Sequence, residues 1–137
     1  MKTIYLIFIS ILFMNTACAK SNEENNISQQ LLGTWKHTEN YISDGNPAQW
    51  IVVEHNFTYT FLDNGNLLTN GELFCERSFN LSETNIISMT MNCSEYHIFL
   101  IPGGDFNLAI SNESILTLSN INCEEAWVHK LVKISNN

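Results

Sequence analysis

From residue 33 onward apolar and polar positions alternate with a period of two, and apolar positions at helical spacing are nearly absent. Such alternation marks strands with one buried face. A first strand runs from about Thr34 to Ile42, with Trp35, His37, Glu39 and Tyr41 at alternate positions, and ends in the turn cluster Ser43-Asp44-Gly45-Asn46-Pro47. Gln49 to Glu54 is an apolar run that reads as a strand edge or as a lid over one end of the domain. His55, Phe57, Tyr59 and Phe61 then alternate with Asn56, Thr58 and Thr60, and Asp63-Asn64-Gly65-Asn66 turns into a short strand from Leu67 to Thr69. Leu73, Cys75, Arg77, Phe79 and Leu81 share one face, and after a polar turn at Ser82 to Asn85 so do Ile87, Met89, Met91 and Cys93. Tyr96 to Ile101 reads as a further strand, stopped by Pro102-Gly103-Gly104-Asp105. Phe106 to Ile110 and Ile115 to Leu118 flank a turn, and a last strand covers Ala126 to Ile134. The pattern predicts an all-β, antiparallel domain of about eight to nine short strands, and closing the sheet into a barrel would remove its exposed edges.

The chain before this pattern is of another kind. Lys2, the apolar run Ile4 to Met14 and the small-residue exit Thr16-Ala17-Cys18 form a signal peptide over residues 1–19, with an apolar run too short to span a bilayer. Two cleavages fit. Ala17-Cys18-Ala19 suits ordinary signal peptidase, leaving Lys20 first. Asn15-Thr16-Ala17-Cys18 resembles a bacterial lipobox, with Asn15 where an aliphatic residue is usual, in which Cys18 is acylated and becomes the mature N-terminus. The lipoprotein is the outcome expected here, because the polar residues 20–30 read as a mobile tether behind the cysteine. Glu23-Glu24 loosely resembles the acidic signals that send some Bacteroidota lipoproteins to the outer face of the outer membrane, and a solvated linker explains the pair equally well. Ile27 to Leu32 has the composition of a short helical turn capping one end of the domain, which occupies residues 31–137. The expected place is the cell envelope, lipid-anchored at the outer membrane on its periplasmic or surface face.

Composition narrows the function classes. With 137 residues, 45% hydrophobic and 11% aromatic, the chain holds one packed core. A net charge of -8 with no basic patch argues against nucleic acid as a partner. Beyond Cys18 stand Cys75, Cys93 and Cys123, which in an exported protein allow one disulfide and one leftover thiol. Cys75 and Cys93 fall on one face of two consecutive strands and are the favoured pair; a bond from either to Cys123 would pin the last strand instead, and three buried thiols are the remaining alternative. His37, His55, His97 and His129 stand singly on four strands, so no metal site is expected. No nucleophile elbow or glycine-rich phosphate loop frames the Ser, His and Asp residues, and neither a catalytic residue nor a cofactor is expected.

Three short signatures carry a resemblance. They are Leu32-Gly33-Thr34-Trp35-Lys36, Tyr59-Thr60-Phe61-Leu62-Asp63-Asn64-Gly65-Asn66, and Ile121-Asn122-Cys123-Glu124-Glu125 through Lys130-Leu131-Val132-Lys133-Ile134. In order and spacing they resemble the lipocalin-like (calycin) lipoprotein domains common in Bacteroidota. The resemblance implies an up-and-down β-barrel around a cavity for a small apolar or amphipathic ligand. It also implies that a cation from the last strand packs on the Gly-x-Trp tryptophan and closes the barrel floor. Here that makes Gly33 and Trp35 the floor and Lys130 or Lys133 the cation, lysines where the family has arginine. The family's second long motif is absent.

Phe57, Tyr59, Phe61, Phe79, Met89 and Met91 lie in phase and point one way, filling a solid core or walling a hollow one. Arg77, in phase with Phe79, would then meet a ligand carboxylate. The expected function is that of a monomeric envelope lipoprotein that binds a small hydrophobic or amphipathic molecule without turnover. The alternative is a solid-core interaction or inhibitor-type lipoprotein of an envelope complex, contacting its partner through Asp44 to Pro47 and Pro102 to Asp105. A cavity of about 300 Å³ or more with apolar walls favours the first, a filled core the second, and two titratable groups converging in a cavity would favour an enzyme.

Overall fold

The computed structural model describes residues 27–43, 45–70, 75–93, 100–122 and 127–136, and of Cys75 and Cys93 the backbone alone. Cys18 and the leader, residues 20–26 of the tether, Asp44, Tyr96 to Phe99, Cys123 and Ala126 lie outside the described residues.

Among the described residues nine strands make one antiparallel sheet: β1 (Gly33–Ile42), β2 (Gln49–Val52), β3 (Thr58–Phe61), β4 (Leu67–Thr69), β5 (Cys75–Leu81), β6 (Ile86–Cys93), β7 (Gly104–Ser111), β8 (Ile115–Asn120) and β9 (Val128–Ser135). Their order is β4-β3-β1-β9-β8-β7-β6-β5, with β2 attached to β1. From β5 to β9 each strand pairs antiparallel with the next in sequence. In the β7–β8 turn Asn112 and Glu113 both have positive φ, 52° and 57°, the backbone whose twist matches that of its strands. The two ends of the order meet where Asn66 bridges Ser78 and the Phe79 N–H donates to the Gly65 carbonyl at 2.8 Å. The sheet is thereby nearly closed into a barrel, as the alternating pattern predicts.

A helical turn covers one end. Trp35, Phe61, Ile87, Phe106, Leu116, Leu118 and Leu131 are fully buried, and residues 27–31 form a helical turn that seats Leu31 on them. The turn's last carbonyls find donors in the barrel: Trp35 Nε1 donates to Leu31 O at 2.7 Å and Lys133 Nζ to Gln30 O at 2.8 Å. Lys133 Nζ also lies 5.1 Å over the Trp35 ring. Gly33 has φ +119°, and a Cβ there would stand 2.5 Å from Ser135 O, so a side chain is excluded where β1 and β9 cross the floor.

Two expectations need correction. Leu100 and Ile101 are buried but not in a strand, because the Ile101 N–H donates to the Tyr59 hydroxyl at 2.9 Å instead of to a neighbouring strand. Strand β1 also does not keep one phase. Against β9 its register runs His37↔Leu131 and then Glu39↔Lys130, which places a bulge at Thr38. Beyond it Asn40 and Ile42 face inward, and Glu39 and Tyr41 face out.

Candidate functional site

The end of the barrel opposite the helical turn holds a cleft of about 440 Å³. Ile42, Ile51, Val52, Val53, Leu100, Pro102 and Trp127 give it apolar walls, and His37, Asn40, Glu54, His55 and His129 supply its polar groups. Strand β2 forms one lip. It pairs with β1 from Glu39 to Ile42, so the run read as strand or lid is a strand along the rim. Trp50, Ile51 and Val52 are exposed on it; the Trp50 ring packs 5.2 Å from Tyr41 and lies 5.4 Å under Lys130 Nζ.

Asn40 ties the base of the cleft together. Its Oδ1 accepts from His37 Nε2 at 2.7 Å and from His129 Nδ1 at 2.8 Å. The two imidazoles meet edge to face with centroids 5.3 Å apart, and both are buried. The bulge makes this possible: without the extra residue, His37 and Asn40, three apart, would lie on opposite faces of the strand. Burial lowers the pKa of both rings, that of His129 to about 3 with His37 as a second cause. For His37 the Asn40 hydrogen bond works in the opposite, raising direction and is outweighed. Both rings are therefore neutral at pH 7, and each uses its proton on Asn40. Among the described residues His37 Nδ1 is buried without a hydrogen-bond partner.

Deeper in the barrel stands Arg77, 7% exposed, with Nε and Nη2 lacking partners among the described residues. Burial lowers its pKa, and its charge is felt at Tyr59, whose own pKa burial pushes up to about 12. Arg77 thus faces inward, in phase with Phe79 as the alternation of β5 requires.

Of the other expected ligand contacts, Tyr59, Phe61 and Met89 are buried core, Phe57, Phe79 and Met91 are half-buried, and Phe61 and Phe79 meet edge to face at 5.1 Å. None of these six lines the 440 Å³ cleft; Phe79 borders a smaller one of about 260 Å³ at the helical end. The tryptophan cation is Lys133. Lys130 is corrected out of that role, since its phase turns it to the outer face, where it pairs with Glu39 at 2.8 Å. Cys75 stands directly opposite Cys93 in the β5–β6 register. The sequence pattern missed His37, Asn40 and His129 as a group. Asn40 and His129 are 89 residues apart and meet only because the first and last strands are neighbours.

Among the described residues no group of three metal-ligating side chains converges. The chain matches no protein-family model, no curated protein and no solved structure.

Proposed function

We propose that this chain is an envelope lipoprotein whose lipocalin-like barrel binds a small amphipathic acid and does not turn it over. The observation that carries the reading is Arg77. A buried guanidinium whose Nε and Nη2 are unmet among the described residues costs the fold several kcal/mol, at an order of magnitude, unless an anion meets it. A carboxylate is the planar acceptor that this fork fits, and Met91 opposite it in register and Phe79 two residues along β5 are apolar. The two convergent histidines do not argue for an enzyme: both rings are neutral, both are tied to one amide, and among the described residues the cleft lining carries no Ser, Thr, Cys or Lys to act as nucleophile. Anchoring through Cys18, the outer-membrane location and a Cys75–Cys93 disulfide belong to the same proposal.

Calorimetric titration of the full chain with decanoate tests the reading. Saturable binding that Arg77→Met abolishes is expected; no heat with the unaltered chain, or equal binding by the variant, would refute it. The interaction-type alternative has one observation in its favour, the exposed Trp50, Ile51 and Val52 on β2.

A further inference from the structure

We infer that the cleft at the open end is a second binding site, separate from Arg77, and that it takes the ammonium head of an alkyl or aryl amine. Arg77 does not line this cleft, so the inference does not rest on an acid being bound inside the barrel. Its basis is the sense of the hydrogen bonds. Because Asn40 Oδ1 can only accept, His37 Nε2 and His129 Nδ1 both donate to it. The remaining ring nitrogens, His37 Nδ1 and His129 Nε2, are then bare lone pairs. The first is buried and unpartnered, and the second takes part in no hydrogen bond among the described residues. Such nitrogens call for a donor, and Asn40 fixes their tautomers before any ligand arrives.

Three further features select a cation over a neutral hydroxyl. Glu54 brings a carboxylate to the lining, and among the described residues neither lysine nor arginine lines the cleft. Trp127, 45% exposed, presents an indole ring to it, the best of the aromatic faces for a cation. The chain's charge of -8 draws cations to its surface. An ammonium carries three donors and no acceptor, which matches two imidazole lone pairs and a carboxylate; an alcohol has one donor and brings lone pairs of its own. The apolar walls then receive the hydrocarbon part.

The test is calorimetric titration of the full chain at pH 7 with hexylamine, hexanol and hexanoate, which share a chain length and differ in the head. Hexylamine is expected to bind about tenfold or more tighter than hexanol, by the added charge and cation–π contacts. Glu54→Gln and Trp127→Leu, both at exposed positions, should each weaken hexylamine about fivefold or more and leave hexanoate unchanged. Arg77→Met should do the reverse. Hexylamine binding no tighter than hexanol, or hexylamine binding that survives both substitutions undiminished, would overturn the inference while leaving the Arg77 reading intact.

Discussion

Asn40 Oδ1 lies 2.7 Å from His37 Nε2 and 2.8 Å from His129 Nδ1, so one amide oxygen receives a proton from each of two buried imidazoles. Asn40→Leu would strand both donors. A buried donor left unmet costs about 1–3 kcal/mol, so denaturant unfolding of the variant should show a loss of about 2–4 kcal/mol. Asn40→Asp keeps the acceptor but adds a negative charge, and in NMR titrations should move both histidine pKa values upward.

The same pair makes stability depend on pH, with a defined sign. Both folded-state pKa values lie below the ordinary 6.5, His129 at about 3, so below pH 6.5 the unfolded chain binds more protons than the folded one. The contribution is fully present above pH 6.5 and is lost as the pH falls toward 3. Urea unfolding from pH 7 to pH 4 should show stability declining by a few kcal/mol, because one proton bound only by the unfolded chain changes stability by about 1.4 kcal/mol for each pH unit crossed. His129→Phe keeps the ring volume and should flatten that decline; an unchanged slope would remove His129 as its source.

Lys133 and Lys130 separate a floor device from a surface pair. Lys133 Nζ meets the Trp35 ring and the Gln30 carbonyl at once, whereas Lys130 pairs with half-exposed Glu39 beside Trp50. Lys133→Met should cost about 1–2 kcal/mol in thermal or chemical unfolding. Lys130→Met should cost under about 1 kcal/mol, and that small loss should shrink further in high salt.

How far the fold could be read ahead of the structure follows from where its information is local. Alternation in Tyr59-Thr60-Phe61 or Phe106-Asn107-Leu108 writes the buried face directly into neighbouring residues, and the turn at Asn64-Gly65 carries its own backbone preference. The barrel was therefore legible. The bulge at Thr38 was not: no glycine or proline marks it, and Trp35, His37, Glu39 and Tyr41 make an unbroken row on paper. That row passes over Asn40, which hid the polar cluster. Ile101 misled for a related reason, since an apolar residue looks the same whether its N–H meets a strand or the Tyr59 hydroxyl. Arg77 was legible because β5 holds one phase from Arg77 to Leu81.

Arg77 itself should lower the stability of the empty barrel. Replacing a buried, unmet charge by an apolar side chain of similar length is neutral or stabilising by about 1–4 kcal/mol. Arg77→Met is therefore expected to unfold at the same or higher denaturant concentration than the unaltered chain when no ligand is present. A large loss of stability would mean that the guanidinium has a structural partner, and would remove the reason for an anion there.

Whether the barrel carries a small amphipathic acid is answered most directly by native mass spectrometry of the protein purified from its own host, before and after organic extraction. The expected result is a reproducible small-molecule adduct that extraction removes, that fragments as an acid, and that Arg77→Met fails to retain. A bare protein mass under gentle conditions, with decanoate unable to add to it, would show that no such acid is carried.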